Sequence, residues 1–218
     1  MTAKLRILQT IVLVVFFSTI PILTHSQLKA TATNSVANVS WDPNPETLLV
    51  SYRDIWGEFA NPDPTPLIRI FGDGRVLVHY PAYTPKSGEY EMWLQVTELE
   101  DLLLSLLAKG GATFVPSAVR HEKQLEELSL QEAILDAGEM PGLFMVADES
   151  TSVFEFHIQS YQAAGGLEAM SEITRTISWR GLGTDSRRYP QLASIQQLRN
   201  AELELRELLK HNDLWMVR

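Results

Sequence analysis

Two glycines flanking an aspartate fix the first element this chain can build. Ile68, Ile70, Val76, Val78 and Tyr80 alternate with other residues on either side of Gly72-Asp73-Gly74. Such alternation sets the apolar side chains on one face of a strand pair, and the glycines tolerate the positive φ of a tight turn. The spacing predicts a β-hairpin. Residues 48–53 supply a preceding strand, and residues 88–94 continue as a third meander strand with Tyr90, Met92 and Leu94 in phase. Antiparallel pairing so early in the chain excludes an all-helical fold and a strictly alternating βαβ one.

The helical period begins next. Thr97-Glu98-Leu99-Glu100 reads as a capping box, and Leu99, Leu102, Leu103, Leu106 and Leu107 then fall on one stripe until Gly110-Gly111 ends the helix. A second helical region covers residues 118–137, with a possible break where Ser129 and Glu132 form another capping pattern. Its acidic residues, Glu122, Glu126, Glu127, Glu132 and Asp136, take polar positions and read as a solvated face. Residues 143–147 and 152–161 read as a second hairpin around Asp148-Glu149-Ser150. Residues 173–179 fit a strand by alternation, or a helix lined by Met170, Ile173 and Ile177. Pro190 opens a long final helix with Leu192, Ile195, Leu198, Leu205 and Leu208 inward. Glu202 and Arg206 form an i,i+4 pair on its outer face. The expected fold is α+β: an antiparallel sheet, meander plus hairpin, packed against two or three helices with a long C-terminal helix.

The N-terminus carries an address. Lys4 and Arg6 precede an apolar stretch, Pro21 breaks it, and Thr24 and Ser26 place small residues at −3 and −1 for cleavage. Residues 1–26 therefore read as a secretory signal peptide. The alternative is an uncleaved anchor, because residues 5–23 approach the length of a membrane span, although Gln9, Thr10, Ser18, Thr19 and Pro21 dilute them. Residues 27–46, rich in Ala, Thr, Asn, Ser and Pro, read as a flexible leader, and residues 47–212 as a single domain.

The 218-residue chain has no cysteine and a net charge of -9. Removing residues 1–26 takes away two cations and no carboxylate, which leaves 16 basic against 27 acidic residues, a net of -11. That balance argues against a nucleic-acid binder, which needs a basic footprint. The missing cysteine excludes disulfides, thiolate catalysis, cysteine zinc sites and lipid attachment. A secreted domain without disulfides points to bacterial export, into the periplasm or cell envelope.

Ile70-Phe71-Gly72-Asp73-Gly74-Arg75-Val76, followed by the capped leucine helix and by Tyr189-Pro190 leading into the Leu198 and Leu205 helix, resembles a recurring pattern in uncharacterised exported bacterial proteins. The resemblance spans about residues 48–209 and implies a small exported α+β domain. It implies no catalytic residue.

Complete catalytic motifs are missing from the sequence. There is no G-x-S-x-G elbow. Ser26-Gln27-Leu28-Lys29 matches S-x-x-K but sits at the signal junction, and His121-Glu122 begins H-E-x-x-H with Leu125 where the second histidine belongs. Gly181-Leu182-Gly183 is too short for a dinucleotide fingerprint. If the hairpins share one sheet, Arg69, His79, Glu91, Glu155 and His157 lie on one face, where they form a metal or acid–base set or only cross-strand charge pairs. His79 and His157 are the candidate metal ligands, and a hydrolase or metal-dependent enzyme using them is the alternative function. Tyr80 and Tyr83 belong to a proline-stiffened aromatic loop that either binds a partner or packs over a sheet edge. Arg180, Arg187 and Arg188 cluster between Trp179 and Tyr189, either as an anion or acidic-partner contact or as partners for the chain's own carboxylates. The main expectation is a non-catalytic exported domain that binds a protein partner or anionic ligand, with no cofactor.

Overall fold

The computed structural model describes residues 35–56, 63–138 and 149–217. Residues 1–26, read as a signal peptide, and residues 143–147, read as a strand, lie outside these.

The chain forms an α+β fold built on one antiparallel sheet. The hairpin expected around Gly72-Asp73-Gly74 is present as β3 (Ile68–Phe71) and β4 (Arg75–Tyr80), with Ile68 opposite Val78 and Ile70 opposite Val76. Gly74, at φ 90°, turns the chain. β2 (Leu48–Ile55) and β5 (Gly88–Trp93) flank the pair. The longest strands are β6 (Thr151–Gln162) and β7 (Met170–Arg180), which pair along almost their whole length. Alternation therefore prevailed over helix at residues 173–179. The β6 edge opposite β7 is shared by β2 and β1 (Asn38–Ser40), and β8 (Trp215–Met216) closes the far side against β5.

Two domain boundaries move. Residues 38–40 were expected in a flexible leader, but Val39 is buried and β1 bonds to β6. The following loop is seated too: the Trp41 indole donates to the Gly72 carbonyl at 3.0 Å and the Thr47 hydroxyl to Asp42 at 2.7 Å. At the other end β8 extends the sheet past residue 212.

Among the described residues four α-helices accompany the sheet: α1 (Val96–Leu106), α2 (Pro116–Asp136), α3 (Leu182–Arg188) and α4 (Ala193–Leu208). The α1 cap falls two residues before the expected one. The Gln95 N–H donates to the Glu98 carboxylate at 2.7 Å, and a π-turn at Leu107–Gly111 ends the helix. Leu99, Leu103, Leu106 and Leu107 are buried as the stripe predicts. They meet Ile195, Leu198 and Leu205 of α4 and the sheet's inner row of Val50, Tyr52, Ile70, Val76, Phe154 and Phe156 in one core. α2 runs unbroken through Ser129, and Leu125, Leu128 and Leu135 on it are exposed. α4 begins at Ala193 rather than Pro190, because the turn after α3 occupies the residues between.

The largest departure is Glu202, which the i,i+4 reading set on the outer face. It is 2% exposed. Its carboxylate accepts from the Tyr52 hydroxyl at 2.7 Å, the Ser152 hydroxyl at 3.2 Å and Arg206 Nε at 3.0 Å, and also from Arg199. Arg206 in turn donates to Asp54 at 2.6 Å. Burial alone would raise the Glu202 carboxyl's pKa, but the hydrogen bonds from Tyr52 and Arg199 and the Arg206 charge outweigh it and hold the group below the usual carboxylate range. This network ties α4 to β2 and β6.

Candidate functional site

The enzymatic alternative rests on His79 and His157. Arg69, His79, Glu91, Glu155 and His157 do share one face, away from the helices. Register keeps them apart along it. The order β6, β2, β3, β4 puts three strand spacings, about 14 Å, across the sheet between His157 and His79, and they lie on opposite sides of the row that joins Glu155, Ser51, Arg69 and Leu77, which separates them further. A shared metal ion is out of reach, and among the described residues no group of three or more His, Asp and Glu fits one. His79 is instead clasped by two carboxylates, with Nε2 2.6 Å from Asp63 and Nδ1 3.2 Å from Glu89. Hydrogen bonds from Thr65 and from His79 pull the Asp63 carboxyl down to about 2. Arg69 donates to Glu89 at 2.7 Å, while Arg53 at 3.0 Å and Ser51 at 2.7 Å both donate to Glu155. Glu91 accepts from the Trp215 indole at 3.2 Å. Both nitrogens of His79 are engaged, so it offers no free lone pair to a substrate or metal. These are the cross-strand pairs of the plainer expectation.

Tyr80 and Tyr83 separate. Tyr80 donates to the Leu209 carbonyl and stacks edge-on against Tyr90 at 5.3 Å, so it fastens the end of α4 to the sheet. Tyr83 is 60% exposed and belongs to the surface.

The arginine cluster divides as well, and one member opens onto a cavity. Gly181 follows β7 in the left-handed region, at φ 69°, and its N–H reaches the Ser150 carbonyl at 2.8 Å. Glycine adopts that conformation without strain, and a Cβ there would have to push aside the Glu149 carboxylate, 2.5 Å away. The turn leaves a cavity of about 410 Å³ between the end of β7, the start of β6 and the first turns of α2. Arg120, Lys123 and Arg180 line it, with Glu149, Trp179 and Asp185. Its volume falls within the range of small-ligand sites.

Each side chain of the lining has a definable role. Asp185 is buried and neutralised: the Trp179 indole donates to it at 2.8 Å, and Lys123 lies 2.8 Å away. Trp179 is held edge-on by Phe114 at 5.6 Å, while the Arg120 guanidinium sits 5.6 Å from its ring centroid. Lys123 and Asp185 cancel, which leaves Arg120, Arg180 and Glu149 as the remaining charges of the lining. The cavity keeps a positive balance in an acidic chain.

Arg187 and Arg188 are exposed and do not line the cavity. Arg188 lies 5.5 Å from the Tyr189 ring, and the Tyr189 hydroxyl donates to Glu127 at 2.6 Å. Sequence reasoning missed Arg120, Lys123 and Asp185. The two cations sit three residues apart on a mostly acidic helix, but nothing local says that this turn of α2 meets β7.

No protein-family model, curated protein or solved structure matches this chain. The geometry alone carries the functional argument.

Proposed function

We propose that this chain is an exported binding domain that takes a carboxylate or similar anionic group of a partner into the cavity beside Trp179. The observation that carries the reading is the convergence of Arg120 from α2 and Arg180 from β7 on a cavity whose own buried carboxylate, Asp185, already has its partners in Lys123 and the Trp179 indole. A guanidinium presents forked donors to an incoming carboxylate, and neutralising Asp185 removes the repulsion that would oppose one. The export half of the reading is supported by the tripartite N-terminus and by a cysteine-free chain. A binding role rather than catalysis is favoured by a lining of cations, carboxylates and an indole, and by the engagement of both His79 nitrogens.

Calorimetric titration with citrate at low ionic strength tests it. The chain is expected to bind citrate, more weakly as salt screens the cations. The double variant R120A/R180A is expected to weaken binding by about tenfold or more, at about 1.5 kcal/mol or more for the charged hydrogen bonds removed. Both arginines are exposed, so its thermal midpoint should stay close to that of the parent. Citrate binding of equal strength in the double variant, or none in the monomeric chain, overturns the proposal.

A further inference from the structure

β7 is an edge strand: among the described residues it pairs with β6 alone. The Gly181 N–H bond to the Ser150 carbonyl fixes which main-chain groups that pairing uses. In an antiparallel ladder, bonded pairs alternate with unbonded ones, so Trp179, Ile177, Arg175 and Ile173 direct their N–H and C=O groups to β6. Thr174, Thr176 and Ser178 direct theirs outward. Their side chains are exposed on the sheet face away from the helices. No proline or lysine interrupts this edge, and Arg175 turns inward to the carbonyls of Ala112 and Phe114.

The charge pattern along the strand is self-complementary. Laid antiparallel against its own copy with Thr176 on the two-fold axis, Thr174 falls opposite Ser178 and Glu172 opposite Arg180. All the opposed positions are even-numbered, so each outward N–H meets an outward C=O. Glu172 adopts φ 52°, which ends the straight part of the strand there, so its carboxylate rather than its main chain takes part. Directly opposed side chains lie about 5 Å apart at Cβ, within reach of an ion pair.

We infer that the anionic partner of the Arg180 rim is a second copy of this chain, joined through β7 into one continuous sheet with Glu172 of each copy meeting Arg180 of the other. The interface is isologous and closes at two copies. The inference rests on the cavity reading for the Glu172–Arg180 contact and on the free edge for the rest.

Sedimentation equilibrium over a range of concentrations tests it on the full chain. The parent is expected to dimerise. T176P removes an outward N–H and no bond to β6, and is expected to be monomeric. Because proline also strains a strand, a charge reversal supplies the second arm. E172R or R180E alone should each weaken the dimer by about tenfold, from two lost ion pairs, and the double variant E172R/R180E should restore it. A parent that stays monomeric, or a dimer that persists in T176P and is indifferent to both single reversals, overturns the inference. A monomer whose Thr174, Thr176 and Ser178 amides resist hydrogen exchange also overturns it, because the chain then covers its own edge. A monomeric parent that binds citrate as expected removes only the self-pairing. Because Glu172 of the second copy occupies Arg180 in the dimer, citrate binding is read in the monomeric T176P variant: a normal parent dimer whose T176P monomer binds no citrate removes only the cavity reading.

Discussion

Glu202 shows how a single residue can be read correctly in its pairing and wrongly in its place. Its i,i+4 relation to Arg206 is real, at 3.0 Å, yet the pair faces inward. Charged residues are almost never fully buried unless paired, so the outer face was the reasonable expectation. What reverses it lies far away in sequence: Tyr52 and Ser152, 150 and 50 residues distant, bring hydroxyls to the same carboxylate. Replacing Glu202 with Ala leaves Tyr52, Ser152, Arg199 and Arg206 without their common acceptor. The expected loss is about 3–5 kcal/mol, read by urea denaturation. Glu202→Gln keeps the shape and much of the hydrogen bonding, so it should lose less than the alanine variant.

Elements were legible where period and capping agreed. The β3–β4 hairpin, β5, the α1 stripe and the inward set of α4 all follow from spacing, because a core face demands side chains at 2 or 3.6 residues and little else satisfies it. β7 was ambiguous for a physical reason: Ile173 and Ile177 are four apart, which fits one helix face and one strand face equally. β1 was illegible because three residues carry no period, and its strand exists only through the β6 edge that β2 leaves free. For α1 the periodicity has a measurable consequence. Leu103→Ala or Leu106→Ala should cost about 2–5 kcal/mol in denaturation experiments. Leu128→Ala on α2, where the side chain is 52% exposed, should change stability by less than about 0.5 kcal/mol.

Across the whole molecule, the candidate site was the least legible part. Arg180 was visible as a cation in an acidic chain, but Arg120 lies 60 residues earlier and only the packing of α2 beside β7 brings the two together. Local clustering instead favoured Arg187 and Arg188, which a short helix turns to the surface. Charge also governs how the molecule responds to acid. The Glu202 and Asp63 carboxyls are both held low in the folded state, Asp63 at about 2. Groups with a lowered folded pKa stabilise above their unfolded value, about 4, and lose that contribution as pH falls toward the folded one. Stability should therefore hold above about pH 5 and decline between about pH 4 and pH 2. The decline should be shallower in Glu202→Gln, as followed by thermal midpoint against pH.

The pairing of β2 with β6 has a temporal consequence. Ser51 meets Glu155 across 104 residues of chain, and β1 joins the same strand from still farther away. During synthesis from the N-terminus, β1 and β2 emerge long before β6, which pairs with both, exists. Contacts so distant make folding slow and leave β1 and the outer edge of β2 unpaired while the chain is being made. The β2–β5 meander holds itself together by local pairing, but until β6 arrives β1 has no strand to join, and that end of the sheet is completed by β6 and β7.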